Sequence, residues 1–133
     1  MIVADSDVLI DALRGRAPAA ERIDLELSGG ALATTAISAF ELRSGIRSAR
    51  ASAQVEQLLA ALAIIPLDAE AAAEAAAVRL RLEGEGTPIG MADYLIAGIC
   101  LARSAVLLTR NRAHFERVPG LTLGRLGDGQ SGL

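Results

Sequence analysis

Three carboxylates of this chain lie in apolar segments, where a charged side chain needs a chemical reason. Asp5 directly follows an apolar run, Glu41 shares the apolar side of a helical segment, and Asp93 is the one charged residue of GMADYLIAGICLA (90–102). A buried, unpaired carboxylate is costly, so it must be protonated, paired with a cation or bound to a metal ion. Converging carboxylates would repel one another unless a divalent cation neutralised them, and magnesium or manganese prefers such oxygen ligands. The residue types therefore favour a magnesium or manganese site.

Each of these carboxylates also has a purely structural interpretation. Asp93 is close enough to Gly90 to accept hydrogen bonds from the first amides of its own helix, and Asp5 could open the first helix. Glu41 could form an ion pair with a nearby arginine such as Arg43. A non-catalytic binding module with structural carboxylates is therefore the alternative to an enzyme, and metal binding distinguishes the two.

Short apolar runs alternate with helical segments along the chain, and this order predicts the fold class. The runs that favour strands begin at Met1, Ala31, Ala63, Ala105 and Leu121. Helical spacing fills the stretches between them, including an alanine-rich segment that Asp68 caps. Strands that alternate with helices predict an α/β fold, in which helices cover both faces of a short parallel sheet of four to five strands.

Ligands of such a sheet bind beyond the carboxyl ends of its strands, so residues that directly follow a strand are the first candidates. This rule selects Asp5 after the first strand, and it selects Thr109 with Asn111 after the fourth. Asn111 could equally be the cap of a short helix.

The other notable side chains of these segments have structural expectations. His114 is the only histidine, and we expect a structural residue beside Phe115, because no second His or Cys is placed to build a zinc site. We also expect Met91 and Cys100 to lie in the core and Tyr94 to lie at the surface or at the rim.

Length and composition indicate one globular domain. The 133 residues, 52 % of them hydrophobic and 22 % charged, are enough for a sizeable core, which we expect over residues 1–126, with 127–133 as a disordered tail. No apolar stretch reaches the roughly 18 residues of a membrane span, and nothing resembles a secretory signal. The single cysteine cannot form an intramolecular disulfide, so a cytoplasmic setting without a membrane is the default.

The absence of lysine weighs against several competing activities. All 13 basic residues are arginines, and the net charge is −3, so any attraction for nucleic acid must be local. An apolar strand followed by DSD (5–7) also resembles the start of a haloacid-dehalogenase-type phosphatase, and receiver domains gather acidic residues at strand ends as well. Both classes need a lysine that this chain lacks, and a P-loop is excluded because GxxxxGK[ST] is absent.

Four motifs then occur in order along the chain: MIVADSDVLID, AFELRSGI, GMADYLIAG and LLTRNRAHFERVPGL. Together they resemble PIN-domain ribonucleases of the VapC type, the toxins of type II toxin-antitoxin systems, over almost the whole chain. The resemblance implies a three-layer α/β/α fold and a Mg²⁺- or Mn²⁺-dependent endoribonuclease that cleaves RNA phosphodiester bonds. A catalytically inactive PIN-like binding module is the alternative.

The resemblance also implies roles for individual residues. Asp5, Glu41 and Asp93 match the acidic triad that holds the metal and carries catalysis, and Ser6 supports the first motif. Asn111 takes a fourth catalytic place where members often have aspartate. Because a neutral amide attracts a cation less than a carboxylate does, we expect one tightly held ion.

The substrate-binding residues follow from the same motifs. We expect Ser6, Thr109, Arg110 and Arg112 to contact or orient the substrate, since hydroxyls donate hydrogen bonds and arginine matches phosphate bidentately. Binding of RNA should then be strongly dependent on salt.

The resemblance finally implies protein partners. Such toxins form homodimers and are inhibited by a small VapB-type antitoxin, which places a basic side chain near the acidic pocket. The apolar positions that could form a groove for an antitoxin are Leu42, Ile46, Leu58 and Leu59, although they could equally belong to the core.

Overall fold

A computed structural model describes residues 1–127 of the chain as a sheet covered by helices. The strands are β1 (Ile2–Ala4), β2 (Leu32–Thr35), β3 (Ala63–Ile65), β4 (Val106–Leu108) and β5 (Thr122–Leu123). The helices are α1 (Ser6–Leu13), α2 (Ala19–Gly29), α3 (Ala36–Ser44), α4 (Ala49–Ala60), α5 (Ala69–Gly84), α6 (Met91–Arg103) and α7 (Arg112–Phe115). The predicted domain boundary at residue 126 stays a prediction, and residues 128–133 of the predicted tail lie outside the described residues.

All strand pairs are parallel, in the order β3-β2-β1-β4-β5. β1 is central, and Ala4 at its end pairs with Thr34 of β2 and with Leu108 of β4. Consecutive residues of a strand point to opposite faces, so Val3 and Ala4 belong to different core clusters. The predicted α/β class with a short parallel sheet is confirmed.

Two helical layers enclose the sheet. On one face, α5 and α6 bury apolar side chains such as Val78 and Ile96 against the strands. On the other face, α1, α2 and α4 bury Leu9, Ile23 and Leu59. The three-layer α/β/α arrangement is therefore as expected. Among the helices of residues 1–127, none is long and apolar enough to cross a membrane.

Two expectations for α6 are wrong, and a third is confirmed. Tyr94 is buried with only 2 % of its surface exposed, because its hydroxyl accepts a hydrogen bond from the Ile89 amide at 3.1 Å and so satisfies the polar end of the ring. Met91 begins the helix and is 54 % exposed. Cys100 is buried as expected, and burial, with Asp5 nearby, raises the pKa of its thiol to about 12.

Gly98 lies where α6 packs closely against α5. A Cβ atom at this position would come within 2.4 Å of the Ala71 carbonyl oxygen and 2.6 Å of the Ala75 Cβ. Small residues on both helices therefore let the two backbones approach, and the approach leaves no space for even one methyl group.

Replacing Gly98 with alanine should destabilise the protein, although alanine favours helix, because the added methyl must push backbone atoms apart. We expect a loss of about 1–3 kcal/mol, the usual cost of overpacking a core, in urea unfolding. Gly84→Ala is the matched control, since its Cβ would meet nothing within 4 Å, and it should leave stability equal or slightly higher. Equal effects of the two substitutions would contradict this account.

Candidate functional site

The carboxyl ends of β1, β2 and β4 bring polar residues to one edge of the sheet. Asp5, Thr35 and Thr109 each follow a paired position of the ladder. The Asp5 amide donates to the Leu108 carbonyl at 2.9 Å, which holds the residue at the point where the chain leaves β1. Asp5 then caps α1 by accepting from the Ser6 amide at 2.8 Å. The strand-end rule thus places Asp5 and Thr109 side by side.

Asp5 is a buried carboxylate surrounded by neutral donors. It is 6 % exposed, and its Oδ2 accepts from the Thr109 hydroxyl at 2.8 Å, while Ser38 donates to Oδ1 at 3.5 Å. Burial first, and then the charge of Asp7, raise the pKa of Asp5 to about 7, against the opposing hydrogen bonds from Thr109 and Ser6. The site therefore holds a negative charge at a cost that a cation would relieve.

Glu41 reaches the same region from α3. The Ser6 hydroxyl donates to its Oε1 at 3.2 Å. Burial raises the pKa of Glu41, and the negative charges of Asp93 and Asp7 raise it further. The suggested ion pair with Arg43 does not form in the structure, because that guanidinium binds both carboxylate oxygens of Glu56 at 2.9 Å. Glu41 thus faces other carboxylates.

Asp93 lies in the first turn of α6, whose N-cap is Gly90. Its Oδ2 is 2.9 Å from His114 Nδ1 and 3.4 Å from Asn111 Nδ2. Both partners belong to the α7 region, so Asp93 connects α6 to α7. The expectation that His114 is a structural residue next to Phe115 differs from this arrangement, because the imidazole contacts a residue of the site.

His114 and Asp7 are the residues that the sequence analysis missed. The i, i+3 spacing of Asn111 and His114, which puts both on one side of a helical turn, was the available signal for the first. Asp7 accepts from the Arg110 amide at 3.2 Å, and burial raises its pKa. Its position two residues after Asp5 at the end of a strand was the signal for the second.

The acidic residues come together, yet their side chains do not form a ready-made cage. Within residues 1–127, no group of three Asp, Glu, His or Cys side chains has the arrangement of a metal site. The chemistry of the donors nevertheless fits a hard divalent cation. Asp5, Glu41 and Asp93 offer carboxylate oxygens, which accept hydrogen bonds from hydroxyls and amides or lie against one imidazole. Burial, and then neighbouring negative charge, raise the pKa values of Asp5 and Glu41.

The four residues predicted to contact substrate each make a hydrogen bond or an ion pair within the protein. Ser6 donates to Glu41, and Thr109 is fully buried and donates to Asp5. The Arg110 guanidinium binds Asp11 at 3.2 Å, with 56 % of its side chain exposed. Arg112 donates to the Gly124 carbonyl at 2.8 Å. Direct contact with substrate stays a prediction for all four residues.

The sequence and the fold are both similar to known proteins. The PIN domain family model matches residues 2–121. Ribonuclease VapC10 of Mycobacterium tuberculosis is 36 % identical over 115 residues, which cover 86 % of each protein. The tRNA(fMet)-specific endonuclease VapC of Salmonella typhimurium is 33 % identical over 107 residues, covering 77 % of this chain and 80 % of that protein.

Solved structures of other proteins have a fold similar to that of this chain. DNA-bound VapBC from Salmonella typhimurium superposes with a TM-score of 0.85 at 29 % identity, covering 95 % of this chain and 98 % of that one. VapBC2 from Rickettsia felis, bound to a DNA fragment from its promoter, gives a TM-score of 0.84 at 26 % identity, with 93 % and 98 % covered.

Proposed function

The chain belongs to the PIN-domain family and, within it, to the VapC-type ribonucleases, and from this premise we propose that it is the toxin of a type II toxin-antitoxin pair that cleaves RNA with the help of a divalent metal ion. Membership of this group makes it a nuclease, that is, a hydrolase. The observation that supports the metal-dependent mechanism is the convergence of Asp5, Glu41 and Asp93, with the pKa values of Asp5 and Glu41 both raised by burial and by neighbouring carboxylates.

Asp5, Glu41 and Asp93 would hold Mg²⁺ or Mn²⁺ through their carboxylate oxygens. The bound ion supplies activation of a water molecule and neutralises charge that develops on the phosphate oxygens. The chain keeps two of these carboxylates in place, because Thr109 donates to Asp5 and Ser6 donates to Glu41. The rotation of both carboxylates is therefore limited before any ion binds.

Asn111 and Arg110 complete the proposed site at its rim. Asn111 presents a neutral amide beside Asp93, so the fourth place adds no negative charge and one ion remains our expectation. The exposed Arg110 side chain pairs with Asp11 through Nη1 at 3.2 Å, so a backbone phosphate would compete with Asp11 for the guanidinium. This competition reduces the net gain from the phosphate contact.

Cleavage of RNA by the purified, antitoxin-free protein tests the proposal. Since the Salmonella relative is specific for tRNA(fMet), we would use initiator tRNA beside a total RNA pool, with Mn²⁺, with Mg²⁺ and with a chelator. We expect cleavage that requires the metal and is lost in Asp93→Asn. Asp24→Asn is the control, because it makes the same chemical change at an exposed position of α2.

Two outcomes of this experiment would contradict the mechanism. Cleavage that persists in the chelator would show that the reaction does not need a metal ion. Cleavage by Asp93→Asn would show that the reaction does not need the Asp93 carboxylate. A folded protein that cuts no RNA under any of these conditions would instead support a binding module that kept the fold and lost the chemistry.

A groove next to Glu41 supports the proposed antitoxin partner. One cavity of about 190 Å³ is lined by Glu41, Ile46 and Leu13, and a second of about 320 Å³ is lined by Leu13, Leu27 and Leu58. The two share Leu13 and also Gln54, so they form one groove with a mostly apolar lining, and Arg14 lines the same end as Glu41. This combination fits an antitoxin segment whose apolar side chains fill the groove and whose basic side chain approaches Glu41.

Of the four positions predicted to form this groove, three line it in the structure. Ile46 and Leu58 are half-buried in its walls, and Leu42 lines it although it is only 4 % exposed. Leu59 follows the other possibility for these positions, because it points from α4 into the core and is 3 % exposed.

Leu58→Glu should weaken the antitoxin without impairing the nuclease. A carboxylate in the apolar part of the groove would have to be desolvated by the bound segment, so we expect at least about tenfold weaker binding, or about 1.4 kcal/mol. Calorimetry measures the affinity, and growth with co-expressed antitoxin reports the escape from inhibition. Leu80→Glu, at a 76 % exposed position of α5, should remain fully inhibited. Equal inhibition of both variants would exclude this groove.

The homodimer and the cytoplasmic setting also remain proposals. Light scattering of the purified toxin, alone and with antitoxin, measures the first. A mass of one chain at micromolar concentration would contradict the proposed dimer.

A further inference from the structure

Three polar atoms form a small triangle beside the acidic site. Asp93 Oδ2 lies 2.9 Å from His114 Nδ1 and 3.4 Å from Asn111 Nδ2, and the two nitrogens are 3.0 Å apart. The side chain of His114 is 42 % exposed, whereas that of Asp93 is 18 % exposed. His114 therefore covers a partly buried carboxylate without being part of the core itself.

The donor and acceptor roles in this triangle follow from the chemistry of the carboxylate. An ionised carboxylate oxygen can only accept, so the nitrogen that faces it at 2.9 Å must carry a proton. If His114 Nδ1 instead accepted from Asn111, two lone pairs would face each other at that distance. We therefore assign the Nδ1 proton to His114, and Asn111 adds a longer, weaker bond to the same oxygen.

These bonds decide how Asp93 presents its carboxylate. The Cβ–Cγ torsion of aspartate rotates freely unless a partner holds it. His114 lies on α7 and binds one carboxylate oxygen of Asp93, whereas Asp93 itself lies on α6. A partner on a different element fixes the plane of the carboxylate relative to the sheet edge, where Asp5 and Glu41 lie.

We propose that His114 is a positioning residue, whose Nδ1–H bond to Asp93 sets the carboxylate in the orientation that gives the site its affinity for a divalent ion. This inference rests on the proposed metal site. Phe115, the next residue, is fully buried and anchors α7 in the core, so the fold does not need the imidazole. Hydrogen-bonding partners of metal-binding carboxylates typically contribute about 10- to 100-fold in metal affinity.

Two amide substitutions separate the Nδ1 bond from any other role of the ring. In His114→Asn the side-chain amide nitrogen can occupy the place of Nδ1, whereas in His114→Gln the amide lies farther out, near the place of Nε2. We expect Mn²⁺ affinity, measured by calorimetry without RNA, to fall at least about tenfold in His114→Gln and to stay within about threefold in His114→Asn. His114→Ala should resemble His114→Gln.

Cleavage kinetics and stability supply the independent readouts. The defect of His114→Gln should shrink at high Mn²⁺ concentration, with the KM for RNA little changed. All three variants should keep the wild-type Tm in chelator, because the substituted side chain is nearly half exposed. A variant with a lower Tm would be set aside, and the comparison would rest on the remaining ones at matched stability.

The outcomes distinguish this inference from the proposed function. A wild-type protein that binds no Mn²⁺ would overturn the proposed metal site itself. A wild type that binds Mn²⁺, with His114→Asn and His114→Gln equally weak or both unchanged, would overturn the positioning role of the Nδ1 proton and leave the metal site intact.

Discussion

Asp5→Asn should abolish RNA cleavage and, at the same time, stabilise the folded protein above pH 7. The loss of activity should reach at least about 10³-fold, or about 4 kcal/mol, because the carboxylate would hold the ion that stabilises the transition state. The gain in stability has a separate cause. Asp5 is 6 % exposed and, with a pKa of about 7, carries a buried negative charge above that pH.

Asparagine fits the Asp5 site without new strain. Its Oδ1 can still accept from the Ser6 amide, and its amide group can donate to the Thr109 hydroxyl, which now donates to Oδ2 at 2.8 Å. Both halves of the prediction can be measured on one preparation, by cleavage with Mn²⁺ and by urea unfolding at pH 8 in chelator.

The matched control for Asp5→Asn is Asp24→Asn, which removes an exposed charge of α2. It should change neither cleavage nor stability by more than about 0.5 kcal/mol. An Asp5→Asn protein that is folded and active would contradict the proposed role. One that is inactive and less stable would show that the carboxylate is structural.

The sequence alone located those site residues whose position follows from local pattern. Asp5 and Thr109 were found because parallel strands end at one edge of the sheet, a rule that needs only the order of the elements. Glu41 and Asp93 lie on helices, and they were predicted because a carboxylate on the apolar side of a helix requires a partner. The fold class followed from the same alternation of strands and helices.

Contacts between distant segments could not be read from the sequence. His114 reaches Asp93 across 21 residues, and its i, i+3 spacing with Asn111 indicates only that the two share one side of a helical turn, not which residue they face. Arg43 was a candidate ion-pair partner of Glu41, but it pairs with Glu56 of the neighbouring helix. Local spacing predicts which residues share a face, whereas the partner on the opposing element depends on how the helices pack.

Without a divalent ion, the protein should lose stability as the pH rises from about 4 to about 7, and Mn²⁺ should restore it. The pKa of Asp5 is raised from 3.8 to about 7, so between these values the folded state binds a proton that the unfolded chain has released. The free energy of unfolding then falls with increasing pH, and the loss is complete above pH 7. The raised pKa values of Asp7 and Glu41 act in the same direction.

The contribution of Asp5 to this pH effect has an upper limit of about 4 kcal/mol, because each unit of pKa difference corresponds to about 1.4 kcal/mol. A bound ion needs the ionised carboxylates, so its binding should release protons below pH 7. At an ion concentration of a hundred times its Kd, binding should raise the free energy of unfolding by about 2.7 kcal/mol.

Urea unfolding at pH 5 and pH 8, with chelator and with Mn²⁺, measures the pH effect and the metal effect together. Other groups titrate over the same range, so the difference between wild type and Asp5→Asn isolates the contribution of Asp5. In chelator, the wild type should be more stable relative to Asp5→Asn at pH 5 than at pH 8. At pH 8, Asp5→Asn should be the more stable protein in chelator, and the wild type should be the more stable one with Mn²⁺. A difference that is independent of pH would mean that Asp5 titrates as an ordinary exposed carboxylate, and the electrostatic case for a cation at this edge of the sheet would then be lost.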